Sequence, residues 1–219
     1  MKFNQIIKNN YLKKSFILLE FLLFISIPII LRFQLSSFVY LRHILFAIGI
    51  AYIFFIGKAF NFNSLKKYGI TKKNFIISCK KLIPSTLFWT AITVFIGYLN
   101  INSLIIPELT TSVATLPIWA NFFLYFTLSA PLQEIIFRGF LVNRIKLTTK
   151  NEIFIILYVS LAFGFIHLMF ANIYFTILTT LISISWTRNY LKHQNLLSII
   201  LFHNIMGAIL LYINFFLVP

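Results

Sequence analysis

Three short segments in the second half of the chain hold the residues able to do chemistry. They read Ala130-Pro131-Leu132-Gln133-Glu134-Ile135-Ile136-Phe137-Arg138-Gly139, then Phe163-Gly164-Phe165-Ile166-His167, then Leu201-Phe202-His203-Asn204. Each lies in a long apolar run, where an ionisable side chain costs at least about 2.5–3.5 kcal/mol on insertion scales. Groups kept at that cost are candidates for function. Glu134 and Arg138 have the i, i+4 spacing that shares one helix face, so they can pair. Taken alone, the pair reads as two costly groups neutralising each other, and each histidine reads as a hydrogen-bonded packing residue. Together they form a polar cluster on consecutive apolar segments. A carboxylate and an imidazole are the tools of general acid–base hydrolysis. A second imidazole can donate to an oxyanion. Two His and a Glu also resemble a zinc site, but H-E-x-x-H is absent. Zinc is not favoured, and no cofactor is expected.

The elements that must position these residues are transmembrane helices. The chain has 219 residues, is 60% hydrophobic and only 11% charged, and has a mean hydropathy of +0.92. Soluble domains are nearer half apolar and about a quarter charged. The expected fold is all-α: a polytopic bundle of about seven spans, since each needs roughly 20 apolar residues. The spans are placed near 15–31, 37–57, 82–100, 117–139, 152–171, 173–190 and 196–217. Residues 1–110 form an N-terminal set of helices with a basic loop, and 111–219 form the core that holds the polar cluster.

Charge sets the orientation. The net charge is +15, but the basic residues stand in short clusters between apolar runs. That distribution suits loops facing an anionic membrane surface and argues against nucleic acid as a partner. Lys2, Lys8, Lys13 and Lys14 mark the N-terminus. Lys58, Lys66, Lys67, Lys72, Lys73, Lys80 and Lys81 mark the second connection. Arg144, Lys146 and Lys150 mark the fourth, and Arg188 and Lys192 the sixth. The alternation places the N-terminus in the cytoplasm and the C-terminus outside. The stretch 58–81, with Phe, Ile and Leu among its lysines, is expected to lie on the membrane surface as an amphipathic helix or turn. The single cysteine, Cys79, excludes an internal disulfide and a Cys-rich zinc site. The segment after the basic N-terminus is span-length and holds Glu20, so it reads as a first transmembrane helix, with Glu20 pairing to Arg42 or His43. Pro84, Pro117 and Pro131 mark helix starts or kinks, and a kink at Pro131 would free backbone groups near the cluster. Trp89, Trp119 and Trp186 belong at interfaces or between helices. Gly139 is expected to end its helix.

At the three segments the sequence resembles the CPBP family, the CAAX proteases and bacteriocin-processing enzymes also called Abi proteins. Family members carry E-E-x-x-x-R, commonly within E-E-x-x-F-R-G, then F-x-x-x-H, then H-x-x-x-N/D/S. Here Gln133–Gly139 reads Q-E-I-I-F-R-G, Phe163–His167 reads F-G-F-I-H, and His203–Gly207 reads H-N-I-M-G. The resemblance covers about residues 115–215 and implies an intramembrane peptidase of a glutamate type without metal. In that scheme the leading Glu and the second motif's His activate water, while the last motif's His and Asn hold the oxyanion. Two positions depart. The leading Glu is Gln133, and an amide does not accept a proton from water near neutral pH. Neighbouring Glu134 points about 100° away on a helix and does not simply replace it. Gly207 stands where the last Asn is expected, and Asn204 lies on a different face.

The site residues named by this reading are Glu134, His167, His203, Gln133 and Arg138. The first expectation is an intramembrane endopeptidase acting on a membrane-associated peptide, prenylated peptide or protein. Glu134 or His167 would then be the base. A second is acyl transfer in lipoprotein N-acylation in a Gram-positive bacterium, which needs an amine and an oxyanion site but no hydrolytic water. A third is a non-catalytic membrane scaffold. The partners are the bilayer and a peptide, prenylated or lipoprotein substrate. The Ile-, Lys-, Asn- and Phe-rich composition points to a bacterial plasma membrane.

Overall fold

In the computed structural model three connections between consecutive helices are described in full, those leading into Glu152, Ile173 and Leu196. The structure describes residues 65–99 and 117–217, together with the helical positions 19, 21, 22, 25–27, 29, 30, 48, 49, 51 and 52. A 3-10 turn, Leu65–Tyr68, leads into helix α1, Phe75–Leu99. Helix α2 runs over 118–145. Helix α3, Glu152–Ile166, ends in the 3-10 turn His167–Phe170. Helix α4 is Ile173–His193, and helix α5 is Leu196–Tyr212, continued by the π turn Ile213–Leu217. No strand occurs among the described residues.

Asparagine starts the last three helices. Asn151, Asn172 and Asn195 each accept a backbone N–H three residues on, from Phe154, Phe175 and Ser198 at 3.1, 2.9 and 2.9 Å. Each supplies an acceptor for a donor that the first helical turn leaves unpaired.

The described helices carry many large apolar side chains on their outer faces, and their hydrophobic core also takes in hydroxylated side chains. On α1, Ser78, Thr86 and Thr93 are buried, whereas Leu87, Phe88 and Phe95 are exposed. On α4, Thr176, Thr179, Ser183 and Thr187 point inward while Tyr174, Ile177 and Leu181 point out. Small and hydroxylated residues at helix contacts let backbones approach where no hydrophobic force drives association. The closest approach is α3 on α4. A Cβ added at Gly164 would collide with Oγ1 of Thr180. Three threonine hydroxyls of α4 are satisfied locally: Thr176, Thr179 and Thr180 donate to carbonyls one turn back, those of Asn172, Phe175 and Thr176, at 3.0, 2.9 and 2.8 Å, whereas Thr86 and Thr187 Oγ1 have no partner among the described residues. Helix α1 packs against α4 and α5, and α5 packs against α2. Its buried Ser78 Oγ meets Ser198 Oγ of α5 at 2.6 Å and accepts from Asn189 Nδ2 of α4 at 2.6 Å.

By length and composition α1 and the run Glu152–Phe170 are each able to cross a membrane, and Leu196–Tyr212 is a shorter apolar helix. The spans expected at 15–31 and 37–57 fall largely outside the described residues, as do Glu20, Arg42 and His43. What is described there joins the core: the Phe21 ring meets Phe137 edge-on at 5.7 Å, and Tyr52 meets Phe140 at 6.0 Å.

Two local expectations change, and one narrows. Helix α1 begins at Phe75 rather than near 82 and takes up Cys79, Lys80 and Lys81. Ser78 is the reason, because its buried bonds to α4 and α5 pull this stretch into the bundle. Of the two places expected for Pro84, a helix start or a kink, its position inside α1 rules out the start. Gly139 does not end its helix. It is buried in the middle of α2, and a Cβ there would stand 3.0 Å from the Tyr68 ring, so glycine serves close packing.

The described part of the basic loop is strapped to the turn between α4 and α5. Leu196 N–H donates to Gly69 O at 2.8 Å, and Asn195 Nδ2 donates to Thr71 O and Lys73 O at 2.7 and 2.8 Å. Tyr190 Oη donates to Tyr68 O at 3.0 Å, and Asn143 Nδ2 to Lys67 O at 3.1 Å. Gly69 has φ +82°, a left-handed conformation that suits glycine, with the Gln194 carbonyl directly against it.

Candidate active site

Helix α2 is unusual in its winding. Ile118–Leu124, Ala130–Glu134 and Val142–Ile145 are α-helical, but Tyr125–Ser129 and Ile135–Leu141 are π-helical. Such wide turns concentrate at functional sites. Pro131 accounts for part of the first one. The Ala130 N–H bonds to Tyr125 O, five residues back. The same bond from residue 131 to Phe126 O is impossible, because proline has no N–H. The freed Phe126 carbonyl instead accepts from Asn204 Nδ2 of α5 at 3.3 Å. The backbone group expected to be released by Pro131 is thus used to tie α2 to α5.

Glu134 and Arg138 lie on this helix, both fully buried. Arg138 Nη1 donates to Glu134 Oε1 at 2.8 Å, the pairing expected from their spacing. Arg138 Nη2 donates to Ser183 Oγ of α4 at 2.5 Å. The guanidinium carbon also lies 4.2 Å from the Phe163 ring centroid, a cation–π contact. A buried charge is tolerable only when paired and hydrogen-bonded, and Arg138 has both kinds of support.

His203 joins the same carboxylate from α5. Its Nδ1 lies 2.7 Å from Glu134 Oε1. A carboxylate only accepts, so Nδ1 carries the proton and Nε2 faces elsewhere. The imidazole is packed by aromatic rings, with Trp186 at 5.0 Å, Phe163 at 5.8 Å and Tyr125 at 6.0 Å between centroids.

His167 is the first residue of the turn after α3. Its Nδ1 lies 2.6 Å from the Phe163 carbonyl. A carbonyl only accepts, so here too Nδ1 carries the proton, and the neutral ring keeps its lone pair on Nε2. His167 lies 4.6 Å from the Phe163 ring and 5.2 Å from Phe175. Both imidazoles and the guanidinium therefore meet around one phenyl ring, that of Phe163.

Gln133 takes a different direction from Glu134. It is half-buried, and its Nε2 donates to Ser129 Oγ at 3.1 Å, while Oε1 is buried with no partner among the described residues. The two neighbours do not substitute for each other. Glu134 Oε2 and Asn204 Oδ1 are also buried without a partner among the described residues. Such orphaned acceptors are rare in native interiors and mark a place for a further donor.

The donor set does not suit zinc. Among the described residues no three His, Cys, Asp or Glu side chains gather where they could hold a metal ion. Glu134 Oε1 is committed to a cation and an imidazole, and a structural or catalytic zinc site takes three or four protein ligands.

Residues 115–209 match the family model described as "Type II CAAX prenyl endopeptidase Rce1-like". The match shows that this segment is similar to that family. It takes in Gln133–Gly139, Phe163–His167 and His203–Gly207, so all three motifs fall inside the match, which agrees with the CAAX protease resemblance of the sequence. No curated protein and no solved structure gives a significant match to the chain. The Rce1-like family is membrane-embedded, in keeping with the apolar exterior of the helices around this segment.

Ser183 and Tyr125 escaped the sequence reading, and Trp186, expected at an interface or between helices, was not assigned to the site. Ser183 and Trp186 had a signal. Thr176, Thr179, Ser183, Trp186 and Thr187 recur at helical spacing through an otherwise apolar segment, which describes one inward face. Tyr125 had none, because a tyrosine near a membrane interface is ordinary.

Proposed function

We propose that the protein is an intramembrane endopeptidase of the CAAX type, cleaving a membrane-associated peptide or prenylated protein with His167 as general base. The observation that carries this reading is the tautomer of His167. Its Nδ1–H is held by the Phe163 carbonyl at 2.6 Å, which leaves Nε2 as the lone pair for abstracting a proton. Glu134 is assigned to positioning, because its Oε1 holds both Arg138 and His203, while its Oε2 has no partner among the described residues. Gln133 is an amide.

The reaction then divides among the side chains as follows. Water gives a proton to His167 Nε2 while its oxygen attacks the peptide carbonyl carbon. The developing oxyanion is met from the His203 side, where Glu134 orients the imidazole; a ring carrying both protons donates to it through Nε2–H. The proton taken up by His167 leaves on the departing amine when the C–N bond breaks. Arg138 compensates the Glu134 charge and fixes its direction, with Ser183 and the Phe163 face holding the guanidinium. No step passes through a metal.

The test is cleavage of an internally quenched farnesylated peptide by the purified protein in detergent micelles. Wild type is expected to cleave it, His167→Ala to lose activity while keeping its thermal unfolding profile, and 1,10-phenanthroline to have no effect. Retention of full activity by His167→Ala would remove the proposed base.

Gln133 supports a second reading, acyl transfer to an amine. Without the motif's leading carboxylate the site has one fewer group to activate water, and His167 Nε2 is equally suited to deprotonating an attacking amine. Mass spectrometry of membrane fractions separates the two: a shortened peptide for hydrolysis, an added N-terminal acyl chain for transfer.

A further inference from the structure

Gly207 stands one turn beyond His203 on α5, on the same face of the helix, and is buried. Its hydrogen in place of a side chain leaves a gap beside the imidazole, and that gap is filled from another helix. A Cβ added at Gly207 would collide with Tyr125, meeting first its hydroxyl oxygen and then the ring carbon that bears it. The Tyr125 ring stands edge-on to the His203 ring, at 75° and 6.0 Å between centroids. No acceptor among the described residues takes up the phenolic O–H. The position of this ring is also specified by the backbone: Tyr125 is the first residue of the π turn Tyr125–Ser129, whose carbonyl takes the wide bond from Ala130.

We propose that Tyr125 supplies the second hydrogen-bond donor of the site, its hydroxyl occupying the place left by the missing side chain of Gly207, next to His203, to bind the carbonyl oxygen of the peptide bond under attack. This role rests on the endopeptidase reading. The chemistry needs no proton transfer from the phenol. The O–H bond persists, and the hydrogen bond shortens as charge develops on the oxygen, so its contribution falls on the transition state rather than on bound substrate. A phenol suits a buried donor site because it stays protonated throughout the working range and carries no charge to desolvate. The glycine and the tyrosine are then two halves of one feature, each tolerable only with the other.

The experiment compares wild type, Tyr125→Phe, Tyr125→Ala, His167→Ala and the double variant Tyr125→Ala/Gly207→Asn on the farnesylated quenched peptide. Binding of a farnesylated phosphinate peptide, which mimics the tetrahedral anion, is measured on the same proteins. Tyr125→Phe keeps the ring and is expected to lower kcat about 10²–10³-fold with little change in KM, the loss seen when one oxyanion donor is removed. It should weaken the phosphinate by a similar factor. The double variant, with an amide donor growing from α5 into the vacated space, is expected to recover activity relative to Tyr125→Ala alone. Wild-type kcat and phosphinate affinity in Tyr125→Phe, with His167→Ala inactive, would overturn the tyrosine role and leave the peptidase reading standing. Absence of cleavage and of phosphinate binding in wild type would overturn both.

Discussion

His203 Nδ1 and Glu134 Oε1, 69 residues apart in the chain, meet at 2.7 Å in a fully buried setting. The carboxylate thereby serves two cations or potential cations at once, Arg138 on its own helix and His203 on α5. It acts as the hub that joins α2 to α5 and, through Arg138 and Ser183, to α4.

Removing that hub should cost stability as well as activity. Glu134→Gln leaves Arg138 charged and buried without its counter-ion, a change that costs about 3–5 kcal/mol when one partner of a buried pair is lost. A marked fall in thermal midpoint in detergent is the expected result. The double variant Glu134→Gln/Arg138→Met removes both charges and should recover much of the midpoint without restoring peptide cleavage.

Gln133 offers a change in the opposite direction. Its Oε1 is buried and unpartnered among the described residues, beside the helix face that carries Glu134. Gln133→Glu puts a carboxylate where an amide now stands and supplies a second group able to hold or deprotonate water. A rise in the rate of cleavage of the quenched peptide by at least about tenfold is expected, at the low end of what a positioned base contributes. An unchanged or lower rate would show that residue 133 does not face the attacking water.

The contact of α3 with α4 has no spare room at Gly164. Gly164→Ala drives a methyl group into Thr180, whose Cβ lies 2.9 Å from the added carbon, so the helices must separate. Overpacking of this kind costs about 1–3 kcal/mol. Because His167 follows on α3 and Ser183 sits one turn beyond Thr180 on α4, activity should fall together with the midpoint. Thr180→Ala in the same chain is expected to relieve part of both losses.

Asn195 is the main fastening of the basic loop. It caps α5 through Oδ1 and holds Thr71 and Lys73 through Nδ2. Asn195→Ala removes all three bonds and should cost about 1–2 kcal/mol from the cap alone. Limited trypsin digestion is the sensitive readout: cleavage after Lys66, Lys67, Lys72 or Lys73 should become faster than in wild type.

Much of the candidate site was legible because charge is so rare in this chain. With four acidic residues in the whole sequence, Glu134 stood out, and its spacing to Arg138 gave the ion pair directly. Pro131 likewise announced a freed carbonyl, found at Phe126. Partners contributed by neutral residues on other helices were harder to read. Ser183 resembles any small residue at a helix contact, and the face on which Tyr125 lies relative to Glu134 is shifted by the π turn Tyr125–Ser129 between them. Local sequence does not state that shift: a π turn is costly by itself and is kept by packing from outside the helix. The helix boundaries at Phe75 and past Gly139 moved for the same reason, since Ser78 and Tyr68 find their partners far along the chain.

The strap between Gly69 and Leu196 also fixes a depth gauge. It pins the lysine-bearing turn to the first residue of α5, and His203 lies seven residues further along that helix. At 1.5 Å per residue the imidazole sits about 10 Å below the pinned turn. An extended peptide advances about 3.3 Å per residue, so a chain anchored at the lysine rim must thread at least about three residues inward before its backbone draws level with His203. For a peptide anchored at that rim, the reach would be set by a helical ruler and not by the thickness of the surrounding lipid.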